Sequence, residues 1–351
     1  MRAFTNILLV FLFTACTSVP DERMTSYVDF PETRELTART LSLDSALFRY
    51  PYRVRVQDDK AVVLDLHGTE YFFHTFHYPG FHYLSSFGKR GDAPEEMLSA
   101  ENLRWNGNFL WTLDSNKSEL TRLGFASSGD SLLRLEAVSL DEELLRALDF
   151  VQYDDSTFII PDYSGDGRFC LVSRQGKLLR KIGTVPTANE DALKSARPAL
   201  AQAWRSFIDY NPRNGVLAAA TQLGEVLEIY NLKDSTHIVR IGPNGEPEFQ
   251  ISQGYGIPIG IMGFSDIQVT DSAIYVVFQG RAFKDIMQKA QQGINLPDGG
   301  QNIYVFSLEG KPLRKYVLDH YIHGISVDEQ KGIIIATDVN KDEPIIEYKL
   351  L

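Results

Sequence analysis

The chain of 351 residues is short of cysteine, with two, and has no surplus of positive charge: 35 Lys and Arg stand against 46 Asp and Glu, a formal net charge of -11. Two cysteines exclude a disulfide-stapled scaffold. The acidic balance, with no basic run, excludes a nucleic-acid partner, because affinity for a phosphate backbone is built from clustered cations. No apolar run approaches the roughly 20 residues of a membrane-spanning helix. Gly-x-Ser-x-Gly, Walker, His-Glu-x-x-His and spaced-cysteine patterns are all missing, so no local signature of nucleophilic, phosphoryl or zinc chemistry is present.

What is there is ordinary for a folded chain, 44% hydrophobic and 23% charged. The amino terminus stands apart from it. Arg2 is followed by the apolar run Ile7–Phe13 and then by Thr14 and Ala15, small residues that precede Cys16. This order reads as a signal peptide over 1–15. The Phe-Thr-Ala-Cys ending resembles the lipobox of bacterial lipoproteins, which implies acylation of Cys16, attachment to a membrane through that lipid, and a place in the cell envelope, at the outer membrane. Cys170 is then left without a partner, and stability rests on packing. Residues 16–33 are polar, with Pro20, Asp21, Glu22 and Pro31, and read as a lipidated cysteine and flexible tether ahead of a domain over 34–351.

Within that domain an apolar strand ending in Asp recurs, at Ala61–Asp65, Leu110–Asp114, Phe158–Asp162 and Ile333–Asp338. Leu217–Thr221 and Ile274–Phe278 look like copies without the acid. A second element, strand, Gly turn, strand, appears in parallel form at Val172–Lys181 and Phe306–Lys315. The unit is therefore about four short strands with a spacing of roughly 45 to 60 residues. One such sheet cannot bury both its faces, whereas radial packing of copies does, so the fold class expected is all-β: a six-bladed β-propeller of four-stranded blades. A β-helix or paired sandwiches is the competing all-β reading. Inner strands are expected near Tyr52–Val56, Glu101–Trp105, Ala147–Tyr153, Ser206–Tyr210, Phe264–Val269 and His323–Val327. Helical turns are expected at Asp141–Leu148, Glu190–Ala203 and Ala282–Gln292. An open ring leaves an unpaired edge, so Leu36–Leu43 is expected to pair with the last blade, Ile322–Tyr348.

Gly88-Lys89-Arg90-Gly91-Asp92-Ala93-Pro94-Glu95-Glu96 resembles the Gly-x-x-Gly-x-Gly-Pro-x-Glu signature of the six-bladed propeller lipoproteins of Bacteroidetes, the TolB-like group. Phe264–Asp271, followed by Ile274-Tyr275 and Gly280, resembles that family's fifth-blade region. Ala93 stands where the signature has glycine. Gly242–Phe249 looks like a shortened second copy, which favours a connector between blades. The resemblance implies fold and location rather than chemistry.

Three sets of residues are candidates for a site. His67, His74, His77 and His82 lie among seven aromatic residues and read either as metal ligands or as an aromatic-rich outer hairpin; strand parity sets His74 and His77 on opposite faces. Asp162, Ser164 and Asp166 occupy positions one, three and five of a calcium-loop pattern, with Gly167 at six but Ser173 at twelve, so the stretch reads as a Ca2+ site or as a plain turn. Arg53, Arg146 and Arg205, with Asp266, His320 and His323, fall at the starts of inner strands, where they would converge on one channel mouth and bind an anionic or carbohydrate ligand. Ordinary pairing with Asp149, Asp209 and Asp266 is the other reading of those arginines. The function expected is an envelope-anchored propeller that binds a ligand, a glycan or an envelope protein. The alternative is a hydrolase or lyase acting on a polysaccharide or small lactone, with residues gathered from separate blades.

Overall fold

Each recurring apolar strand becomes the second strand of an antiparallel sheet, because a run apolar on both faces must be covered on both sides. The computed structural model describes residues 22–43 and 48–350 and arranges the chain as six such sheets in a ring. The stretch read as a signal peptide, Cys16 and residues 17–21 lie outside the described residues. The inner strands are Pro51–Gln57, Asn102–Asn106, Val151–Asp154, Ser206–Asn211, Phe264–Val269 and Ile325–Asp328, for blades 1 to 6 in that order. All six coincide with the expected positions to within a few residues.

The core is not one cluster but a series of layers, one between each pair of neighbouring blades. Phe72, Phe73, Leu103 and Leu110 fill the layer between blades 1 and 2, and Trp111, Phe158 and Val172 the next. Comparable layers follow around the ring to blade 6 against blade 1, where Val54, Phe76 and Ile345 meet. The repeated Asp also has a local task. Asp65 accepts the amides of Arg49 and Tyr50 at 2.8 and 2.7 Å, and Asp114 accepts that of Leu98 at 2.7 Å. Each thereby fixes the chain just before its own blade's inner strand. The twin turns at Gly176 and Gly310 share one hydrogen-bond pattern with Ser173 and Ser307, and both glycines sit at positive φ, 81° and 76°, where a β-carbon is disfavoured.

Closure of the last blade follows expectation, and the chain ahead of it does more than expected. Arg39–Thr40 pairs with Ile346 and Glu347 and completes blade 6, but Thr33–Leu36 instead runs parallel to the outer strand of blade 5, Pro312–Ile322. Glu22–Ser26 runs parallel to the outer strand of blade 4, Thr236–Ile241. The stretch read as a free tether is thus a belt from residue 22 onward, laid along three blades in turn. The physical reason is the unpaired outer edge of each blade, which a passing strand satisfies. Between the two parallel strands, Tyr27 and Phe30 insert against Phe306 and Tyr304, with ring centroids 5.3 and 4.6 Å apart. The Tyr27 hydroxyl donates to Glu225 at 2.7 Å.

Helices form at Glu190–Ser195, Arg197–Ala203 and Phe283–Gln291. Asp141–Leu148 is turn rather than helix: Arg146 takes a φ of 44°, which no right-handed helix accommodates. Among the described residues no helix is long and apolar enough to cross a membrane.

The two ends of the channel differ in a way that matters for function. At the end where inner strands finish, the hairpin turns are short, with two to six residues between strands. At the end where inner strands begin, here the entry mouth, lie the helices between blades 3 and 4, the hairpin Phe249–Ser252 with Tyr255–Pro258 between blades 4 and 5, and the helix Phe283–Gln291 within blade 5.

Candidate functional site

The channel is filled by charge. Asp149, Asp209 and Asp266 each accept the backbone amide of the following blade's inner strand, from Ile208, Val269 and Ile325 at 2.9, 2.7 and 2.9 Å. Arginines bind the remaining carboxylate oxygens. Arg104 donates to Asp209 at 2.6 Å and to both oxygens of Asp149 at 3.2 Å, and Arg55 forks onto Asp266 at 2.9 and 2.8 Å. Three guanidiniums, with Arg53, meet three carboxylates, and all are buried save for a partly exposed Asp209. Burial by itself raises the Asp266 carboxyl, but Arg53 and Arg55 bring it down to about 2. Burial dominates at Asp209 and pushes its carboxyl above the usual range.

Arg53 closes the channel. Its Nε lies 3.1 Å from Asp266, close enough to pair in charge but not aligned for a hydrogen bond, and its Nη2 donates to the Ser265 carbonyl at 3.2 Å. The guanidinium lies 4.9 Å from the ring of Phe207. Blade 4 is opposite blade 1 in a six-membered ring, so this contact spans the channel. Beyond it, towards the far end, Arg104 and Asp209 line a separate cavity of about 290 Å³.

Above Arg53, at the entry mouth, stands a group of aromatic and titratable side chains. The rings of Tyr52, Tyr50 and His67 form a row, with centroids 6.1 and then 4.9 Å apart, and His323 lies 5.0 Å from Tyr52. The Tyr50 hydroxyl donates to Asp298 and lies 3.1 Å from His323 Nε2, which is itself 3.2 Å from Asp298. The hydrogen bond from His323 holds the Asp298 carboxyl well below the usual carboxylate range. Burial, with the hydrogen bond to Asp298 next, pushes the Tyr50 phenol up, and burial also raises Tyr52, to about 12. His323 is 5% exposed, and its other ring nitrogen, Nδ1, is buried with no hydrogen-bond partner among the described residues, as is Arg53 Nη1. A buried polar atom without a partner costs about 1–3 kcal/mol, so a group placed to meet these nitrogens would recover part of that cost.

Of the residues expected to converge, Arg53, Asp266 and His323 do so. His320 joins through Asp338, 2.7 Å away, and Asn340, which donates to both Asp338 and the Asp298 carbonyl at 2.8 Å. Arg205 is at the same mouth on blade 4, half-buried, 5.8 Å from the Tyr163 ring. Arg146 stays apart, exposed between blades 2 and 3. Tyr50, Tyr52 and Asp298 were not expected, and His67 was expected only within the histidine set. Tyr52 abuts Arg53 in sequence, Tyr50 stands three residues before it, and both were within reach of the same reasoning, whereas Asp298 is 248 residues from Tyr50 and only folding joins them.

The histidine-rich stretch divides. His74 is buried, 2.8 Å from Ser86; His77 and His82 are cross-strand neighbours at an outer hairpin; His67 is at the mouth. Among the described residues no group of three or more His, Cys, Asp or Glu is placed to hold a metal ion. In the Asp162 loop, the Lys181 ammonium lies 2.6 Å from Ser164, 3.1 Å from Asp166 and 3.6 Å from Asp162. Asp162 also accepts the amides of Ser164 and Gly167 at 3.0 and 2.8 Å, the pattern of a closed turn around a built-in cation.

Comparison with solved structures finds the same architecture at low identity. An exported protein of Bacteroides fragilis is 10% identical with a TM-score of 0.57, over 93% of this chain and 98% of that one. An auxiliary nutrient binding protein of Bacteroides ovatus is 10% identical with a TM-score of 0.52, over 86% and 69%. Streptogramin B lyase is 10% identical with a TM-score of 0.50, over 89% and 97%. No curated protein matches the sequence. A family model described as a TolB-like six-blade propeller matches residues 29–330, which runs from the belt to the last blade, and the chain therefore belongs to the TolB-like six-bladed propeller family.

Proposed function

We propose that the protein is an envelope lipoprotein, held at the outer membrane by acyl chains on Cys16, whose propeller binds a hydroxyl-rich ligand, a glycan, at the entry mouth. One observation carries the reading. The buried, unpartnered nitrogens of His323 and Arg53 lie beside the aromatic row Tyr52, Tyr50, His67, at the mouth that carries the long insertions. Aromatic faces take the apolar face of a sugar ring, and fixed donors and acceptors such as Asp298, Tyr50 and His323 take its hydroxyls. Loops crowning one end of a rigid scaffold are where binding residues concentrate.

The fold itself serves both binders and enzymes, since its relatives include a nutrient binding protein and a lyase, so the site must decide. Tyr50, His323 and Asp298 within hydrogen-bond reach of each other favour the second reading, a lyase or hydrolase in which that group moves a proton.

The test is a thermal-shift and calorimetric screen of the mature chain against a panel of glycans and acidic metabolites, because a ligand that binds the native state raises the melting temperature. A glycan is expected to bind saturably, and Tyr50→Phe and His323→Ala to weaken it at least about tenfold, the loss of one hydrogen bond to a buried group. Saturable turnover of any of these compounds moves the protein to the enzyme reading. An unchanged melting temperature with all of them removes the glycan reading and leaves a protein partner.

A further inference from the structure

The belt fixes how the propeller meets the lipid surface. Only Thr17–Asp21 separate Cys16 from the strand that begins at Glu22, five residues in all. Fully extended, the span from Cys16 to Glu22 reaches roughly 20 Å, less than the width of a domain of this size. Where Glu22 lies therefore decides which part of the molecule faces the membrane.

Glu22 pairs with His237, at the start of the outer strand of blade 4, and Ser26 pairs with Ile241 at its end. The start of that strand follows the turn 232–235, which is packed on the exit side of the channel: Leu232 donates to the Gly215 carbonyl at 2.9 Å, and Lys233 Nζ to the Arg213 carbonyl at 2.6 Å. Gly215 and Arg213 belong to the turn that follows the blade 4 inner strand. The end of the outer strand is on the entry side, where Tyr27 reaches Glu225 in the loop between the second and third strands. The chain thus enters the fold at the exit-side outer corner of blade 4 and runs away from it.

We infer that the lipid bilayer lies against this corner, around the turns 212–215 and 232–235, and that the entry mouth and its insertions face away from the membrane. The inference rests on acylation of Cys16, which belongs to the reading above, and adds to it an orientation. A glycan reaches the mouth from solvent while the anchor holds the opposite side, with no hinge or long linker needed.

The experiment uses the full acylated chain, carried in liposomes of phosphatidylethanolamine and phosphatidylglycerol that contain a headgroup-labelled acceptor lipid. Lys233→Cys and Lys289→Cys place a donor dye at the blade 4 corner and on the blade 5 insertion helix; both positions are exposed, while Cys170 is buried. Energy transfer to the lipid is expected to be strong from position 233 and weak from position 289. Lengthening the 17–21 stretch by fifteen Gly and Ser residues is expected to erase the difference. Equal transfer from the two positions, or stronger transfer from 289, overturns the orientation while leaving the anchor in place. Failure of the chain to float with liposomes, as Cys16→Ala is expected to fail, overturns the anchor and the orientation with it.

Discussion

At the scale of single residues, the channel is a set of buried ion pairs between blades rather than a reservoir of free charge. Breaking one partner of such a pair strands the other in a poor solvent and costs about 3–5 kcal/mol. Asp266→Ala leaves Arg53 and Arg55 without their carboxylate and removes the acceptor of the Ile325 amide, so we expect a loss of that order in denaturant unfolding. The same carboxyl gives the acid limb of stability its shape. Its folded value of about 2 is below the ordinary value of about 3.9, so its contribution is complete above the ordinary value and is lost as pH falls through about 2. The stability of the Asp266→Ala variant is accordingly expected to fall less steeply than that of the parent between about pH 4 and 2. A second residue-scale expectation concerns Lys181. Its ammonium occupies the centre of the Asp162 loop, so neither millimolar calcium nor EDTA should move the melting temperature; a rise with calcium would mean that the lysine is displaced.

At the scale of elements, the amino-terminal strands explain how a ring of separate sheets is held shut. Blade 6 has three strands of its own and takes its fourth from Arg39–Thr40, while blades 4 and 5 each gain a fifth, parallel strand. Tyr27 and Phe30 pin this belt between blades 4 and 5, and Phe30 is 8% exposed. Phe30→Ala is expected to cost about 3–5 kcal/mol, a core value, although sequence composition marks the stretch as linker. A variant that unfolds at the parent's denaturant midpoint would show the belt to be dispensable. The insertions behave differently. The helix Phe283–Gln291 buries none of its residues, so substitutions along it are expected to leave the core intact.

At the scale of the molecule, closure is a property of the whole chain. Deleting residues 22–40 uncovers the edges of blades 4, 5 and 6 together and removes Tyr27 and Phe30, and bare edges recruit other chains. Size-exclusion chromatography of that deletion is expected to show self-association and a lowered melting temperature; a monomer with the parent's melting temperature would contradict the role assigned to the belt.

Much of this was legible in the residues. A strand apolar on both faces needs cover on both sides, and its return six times, with Asp at its end in four, favours radial packing over a β-helix or paired sandwiches; the expected inner strands followed from that repeat. Arg53, Asp266 and His323 were legible as mouth or channel residues for the same reason, since the start of an inner strand has one place to be. Three things were decided only by tertiary structure. Which acid pairs with which arginine depends on which blades meet around the channel, not on spacing, as Asp209 of blade 4 with Arg104 of blade 2 shows across 105 residues. Asp298 reaches Tyr50 and His323 only because an insertion in blade 5 folds back over blade 1's side of the mouth. The belt looks polar and linker-like because each of its strands needs only a backbone ladder and a few buried side chains, a demand on hydrogen bonds that leaves little trace in side-chain pattern.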